Sequence, residues 1–186
     1  MTKEEIHNKT TWDDYEMGNC PIFVNLFDRE IPFLFFQDHK PKPSITDKMV
    51  EIVNEVLELN QSERSILKEM LWEECNFAFT VADYGFEPKG NETHLEAHLT
   101  GFGIFSKEDA YLKSEIKEIH IAQENDELCG RYAEIKINSA SENLISVIVK
   151  NGKIIDFDDD GTYLGWFEKD EKHAKKAREK ILKKYK

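Results

Sequence analysis

The segment LISVIVKNGKIIDFD, residues 144–158, sets two β-branched runs on either side of Asn151 and Gly152. A type I′ turn needs positive φ at both central positions, and Asn-Gly supplies it with little strain, so this stretch predicts a β-hairpin. The segments before it extend the pattern. RYAEIKIN (131–138) places Tyr132, Glu134 and Lys136 opposite Ala133, Ile135 and Ile137, and IKEIHIAQ (116–123) alternates Ile116, Ile119 and Ile121 imperfectly. A C-terminal antiparallel meander of at least three strands follows.

A second hairpin is expected near the N-terminus, where PIFVNLF and IPFLFFQ span Pro21 to Gln37 and join across Asp28, Arg29 and Glu30. The second of these runs is almost continuously apolar and reads as buried on both faces. DHKPKPS then stops the sheet, because Pro41 and Pro43 cannot donate ladder hydrogen bonds. Ser44 or Thr46 caps a helix running to about Leu59, with Ile45, Met49, Ile52, Val53, Val56 and Leu57 on one face. Ser62 opens a second helix through Ile66, Leu67, Met70 and Leu71 to about Cys75, and the short ELNQSE link predicts that the two pack as antiparallel neighbours. Residues 77–105, punctuated by Gly85, Pro88, Gly90, Gly101 and Gly103, read as an irregular connection. Ser106 caps a short helix in SKEDAYLKSE.

The chain has 186 residues, enough to bury about 70% of its unfolded surface. Its fold class is expected to be α+β, an antiparallel sheet of N-terminal hairpin and C-terminal meander packed by the helix pair. Residues 1–167 form one domain in this reading, and 168–186 a basic helix appended to it or docked on it. From Glu168 onward there are nine Lys or Arg against four Asp or Glu, a net +5; before it 16 basic and 33 acidic residues give −17, so the overall −12 divides into an acidic body and a basic tail. Such a body repels nucleic acid and anionic membrane and attracts a basic protein. MTKEEIHNKT lacks the apolar core of a signal peptide, and no apolar run reaches the roughly 18 residues of a membrane span, so the chain reads as soluble and cytoplasmic. Cys20, Cys75 and Cys129, widely spaced and odd in number, suggest reduced buried thiols rather than disulfides or a thiolate metal site.

Two stretches resemble metal chemistry. DFDDDG sets Asp156, Asp158 and Asp160 at the first, third and fifth positions of a calcium loop, with Gly161 at the sixth. The twelfth position, which should be a bidentate Glu, is Phe167, and a strand rather than a helix enters the loop, so an acidic strand end is the preferred reading. HLEAH offers His94, Glu96 and His98 on one face of a strand, or His94 and His98 as an i, i+4 pair on a helix with Glu96 elsewhere. Its Glu is not placed for the H-E-x-x-H protease arrangement. GFGIF has Ser106 where a dinucleotide fingerprint has its third glycine, so no cofactor is expected. No catalytic motif is evident, and the alternative to a binding protein is a metal-binding protein or metal-dependent hydrolase built on these acids and histidines.

The order of elements, and the approximate matches Glu142, Leu144, Val147, Gly152 and Lys153 in SENLISVIVKNGK, resemble bacterial domains of unknown function associated with immunity proteins of polymorphic toxin systems. Asn143 stands where that pattern has glycine, and INSAS replaces its Trp-Asp. The resemblance implies a cytoplasmic interaction protein that neutralises a basic toxin by covering its active site, with no catalytic residues of its own.

Overall fold

A computed structural model describes residues 1–36, 44–122, 125 and 127–185. Its elements run α1 (Lys3–Lys9), β1 (Thr11–Trp12), β2 (Gly18–Val24), β3 (Arg29–Phe36), α2 (Asp47–Leu57), α3 (Gln61–Val81), α4 (His94–Phe102), α5 (Lys107–Lys113), β4 (Glu115–Ala122), β5 (Tyr132–Asn138), β6 (Leu144–Lys150), β7 (Lys153–Asp159), α6 (Gly165–Lys169) and α7 (His173–Leu182). The class is α+β. The strands form one sheet in chain order, β1 to β7, and every neighbouring pair is antiparallel except β3 and β4.

That parallel pair, in which Phe33 faces Ile119 and Phe35 faces Ile121, fuses the N-terminal hairpin to the C-terminal meander. Parallel neighbours cannot be joined by a tight turn, and the crossover between them carries α2 to α5. The anticipated hairpin forms at residues 151–152, with φ of 48° at Asn151 and 73° at Gly152. In the N-terminal hairpin the turn falls earlier than expected: the Phe27 and Asp28 amides donate to the Val24 carbonyl, and Arg29 and Glu30 are already paired in β3. The imperfect alternation of β4 has a cause, a bulge between Ile116 and Glu118 that returns Ile116, Ile119 and Ile121 to one buried face.

Thr46 is the cap of α2, its hydroxyl accepting from the Met49 amide, and Asn60 rather than Ser62 caps α3. Both helices pack on the sheet, yet their closest neighbours are not each other: α2 lies against α1 and β5, and α3 against α5, α4, β7 and α7. Nor does α3 stop near Cys75. Leu67, Leu71, Cys75, Ala78 and Phe79 continue one buried stripe to Val81, so much of the expected irregular connection is helix, the last turns of α3 together with α4. The α1 helix is not foreseen by hydrophobic period, since Ile6 is its single buried residue; a capping box between Thr2 and Glu5 starts it. The expected break at Pro41 and Pro43 and the strand end at Gln37 lie outside the described residues.

The main core joins Phe33, Phe35, Ile119, Ile135 and Val147 of the sheet to Ile52, Leu67, Leu71 and Phe79 of the helices. A smaller cluster covers the other face at β5 to β7, where Leu164, just ahead of α6, Phe167 of α6 and Ala174 of α7 pack on Tyr132 and Ile148. The tail is therefore docked, giving three layers at this end of the sheet. No helix among the described residues is long and apolar enough to cross a membrane. Cys20 and Cys75 are buried, but Cys129 is exposed, contrary to expectation.

A branched side chain at the left-handed Gly152 is strained even though the nearest atom to an added Cβ, the Glu55 Cβ, is an ordinary 3.5 Å away. Gly152→Val is expected to cost about 1–3 kcal/mol in denaturant unfolding, with the slope of the transition unchanged.

Candidate functional site

Of the four acids of DFDDDG, Asp156, Asp158 and Asp159 close β7 and Asp160 follows it. Asp156 and Asp158 face Ile148 and Ser146 across the ladder, on the side of the sheet away from the main core. Asp156 is 2% exposed. Its Oδ1 accepts from the Arg178 guanidinium at 2.8 Å, and its Oδ2 accepts the backbone N–H of Lys175 at 2.9 Å. Helix α7 has no capping side chain of its own at Lys172; Asp156 supplies the missing acceptor from a neighbouring strand, where the positive end of the helix dipole favours a carboxylate. Arg178 also donates to the Phe157 carbonyl and to Glu73, and its guanidinium lies 3.5 Å from the Phe157 ring centroid. Asp158 accepts from the Thr162 hydroxyl at 2.7 Å. Asp160 accepts from Lys136 Nζ at 2.7 Å, and that ammonium also reaches Glu134 and Ser146. The acids thus disperse to three separate partners instead of converging.

HLEAH opens α4. Thr93 is its cap, and Glu96 closes a capping box by accepting the Thr93 amide at 2.7 Å, which holds the Glu96 carboxyl below its usual range. Glu96 therefore points away from the two histidines, whose tilted rings have centroids 4.2 Å apart. Their third companion is Asp83, and among the described residues Asp83, His94 and His98 alone bring three potential metal-ligating atoms within 4.8 Å of one another. His98 is fully buried; its Nδ1 faces the His94 carbonyl at 2.8 Å, and its Nε2 accepts the Tyr84 amide at 2.8 Å. These contacts place the proton on Nδ1 and engage the Nε2 lone pair that would otherwise ligate a cation. The imidazole closes the backbone reversal after α3.

The residues that sequence reasoning passed over are Glu74 and its partners. Glu74 is 3% exposed, an acid on the apolar stripe of α3. Its Oε1 accepts from the Ser141 hydroxyl at 2.7 Å and the Asn143 amide at 3.0 Å. Ser141 in turn bonds Ser139 at 2.9 Å, and Asn143 donates to the Tyr84 hydroxyl at 3.1 Å. The β5–β6 turn that presents them is closed by the Ser139 amide on the Asn143 carbonyl, with Glu142 at φ 67°. Glu74 Oε2 has no hydrogen-bond partner. Beside it, burial and then the Glu74 charge push the Cys75 thiol far up, so that it remains protonated and unreactive.

Glu74 lines a cavity of about 490 Å³ between α3, α7 and the ends of β6 and β7. Phe77, Val81, Leu144 and Ile181 give it apolar walls; Asp158, Asp159 and Arg178 complete the polar lining with Tyr84 and Asn143. Its volume is in the range of about 300–1,000 Å³ usual for small-ligand sites. Its titratable lining is three carboxylates, Glu74, Asp158 and Asp159, with Tyr84 and Arg178, and it includes no serine, cysteine or histidine. Comparison with protein-family models, with curated proteins and with solved structures gives no match for this chain.

Two consequences can be measured. Arg178→Ala strands the buried Asp156 carboxylate and unpins α7, and is expected to lower unfolding free energy by about 3–5 kcal/mol. For Asp160, the hydrogen bond from Lys136 holds the carboxyl below its ordinary value. A depressed carboxylate contributes stability that is whole above the unfolded-state pKa and is lost as pH falls through the folded-state pKa. The Asp160 side chain is 47% exposed, so the term is about 1 kcal/mol or less. Asp160→Asn should therefore lose that amount at neutral pH and nothing at strongly acidic pH; an equal loss at both would show the pair to be electrostatically idle.

Proposed function

We propose that this chain is an interaction protein of the immunity type, which binds a basic protein partner such as a toxin and blocks it by covering its active site. The observation that carries the reading is how the chain spends its own cations. Arg178 is engaged by Asp156 and Glu73, Lys175 by Glu73, Lys176 by Asp170 and Lys150 by Glu171. Three of the nine cations of the basic tail thus pair with acids beside it or beneath it, and the body, with 33 acidic against 16 basic residues, keeps a large excess of negative charge that another molecule can meet. Acidic surface of this extent steers a basic protein into encounter and fixes its orientation.

Purification of the tagged chain from its host at low ionic strength, with identification of what it retains, tests the reading. The expected partner is a basic protein whose association rate falls as salt is added and whose toxicity is suppressed when the two are co-expressed. An acidic partner, or binding indifferent to salt, would overturn it.

A further inference from the structure

We infer that the groove between α3 and α7 is a binding site for a small amphipathic amine, an organic cation with an apolar body and one ammonium group. The walls set the apolar half of that ligand. Phe77 and Val81 of α3, Leu144 and Ile145 of β6, Phe157 of β7 and Ile181 of α7 line the volume of about 490 Å³. Leu144 is 43% exposed and Ile181 38%, so the cavity reaches the surface at apolar side chains that nothing else covers among the described residues. A ligand body laid against them removes apolar area from water on both partners. The inference does not depend on the basic partner proposed above.

The rim sets the charged half. Asp159 ends β7, opposite Ile145 and two residues beyond Phe157, so its side chain shares the face of the sheet on which those two line the cavity. Asp159 is exposed, and among the described residues its carboxylate takes part in no hydrogen bond or ion pair. It therefore offers an accessible, uncommitted acceptor where the apolar walls meet water. The rest of the lining favours the same sign. Glu74 and Asp158 add carboxyl groups, and the one basic residue among the described lining, Arg178, is turned to Asp156, Glu73 and the Phe157 carbonyl. An anion with the same body would meet three carboxyl groups and a guanidinium already engaged. Because an ion pair at a wet rim is worth little, the body supplies most of the affinity and the charge supplies the preference.

The test titrates phenylbutylamine, phenylbutanol and phenylbutyrate separately into the ¹⁵N-labelled full chain at low ionic strength and follows backbone amide resonances. Saturable shifts at Leu144, Asp159 and Ala177 are expected with the amine, the alcohol binding at least about threefold more weakly and the carboxylate more weakly again. Asp159→Asn lies at the surface, leaves the apolar walls in place and should bring the amine down to the affinity of the alcohol while leaving the alcohol unchanged. Ala177→Phe narrows the groove from the α7 side and should weaken all three ligands alike. If that variant fails to fold, the Asp159→Asn comparison decides by itself. No saturable shifts in the native chain, equal affinity for amine and alcohol, a preference for the amine that survives Asp159→Asn, or unchanged binding by a folded Ala177→Phe would each overturn the inference.

Discussion

The parallel pairing of β3 with β4 is the constraint on which the other elements depend. Two antiparallel units, each closed by its own turn, share a ladder there through Phe33, Phe35, Ile119 and Ile121. Because parallel neighbours need a long return path, the chain between them has to leave the sheet and come back. It does so as four helices, and those helices cover the main face of the sheet. The length of α3 follows from the same path. It starts where Glu63 accepts the Ile154 amide at the head of β7 and ends beyond Glu74, beside the β5–β6 turn. The groove exists because α3 runs along the sheet to that turn while α7 docks against β7 next to it.

Two buried carboxylates meet opposite conditions within this frame. Asp156 is matched by a guanidinium and by backbone N–H groups from its own strand and from a helix terminus. Glu74 is matched on one side only. Among the described residues that unmatched Glu74 oxygen has company: Trp12 Nε1, Arg64 Nε, the Tyr132 hydroxyl and Arg178 Nε are likewise buried without a hydrogen-bond partner. Burial without complete compensation is tolerated in proteins chiefly where a site has another task.

Much of this architecture was legible in the sequence, for local reasons. Asn151-Gly152 announced its turn because few other dipeptides accept two positive φ angles in succession. The alternation in residues 131–138 gave the correct two faces of β5, although Glu134 and Lys136, on the polar face, proved buried in an ion-pair cluster. What failed to show was non-local. Nothing in IPFLFF or IKEIHI specifies that they lie side by side and parallel, and Asp156, Asp158 and Asp160 carry no mark of the lysine and arginine that claim two of them. Asp83, eleven residues ahead of His94, joins the histidines only through the reversal after α3. Other misses were visible and passed over: Thr2 with Glu5, and Thr93 with Glu96, are capping boxes by spacing alone. Glu74 stood among apolar residues at helical period, where a charge calls for a partner.

The cap that Asp156 lends to α7 also orders events in time. A ten-residue helix with no acceptor at its own start and lysines along its length is marginal in water by itself. Its first turn becomes favourable only once β7 is in place to offer a carboxylate, and β7 in turn must pair with β6. As the chain emerges during synthesis, the sheet therefore precedes its tail, and the groove acquires its second wall last. Until that moment Asp156 is hydrated and Glu74 faces an open flank, so the cavity has both of its walls only once α7 has docked.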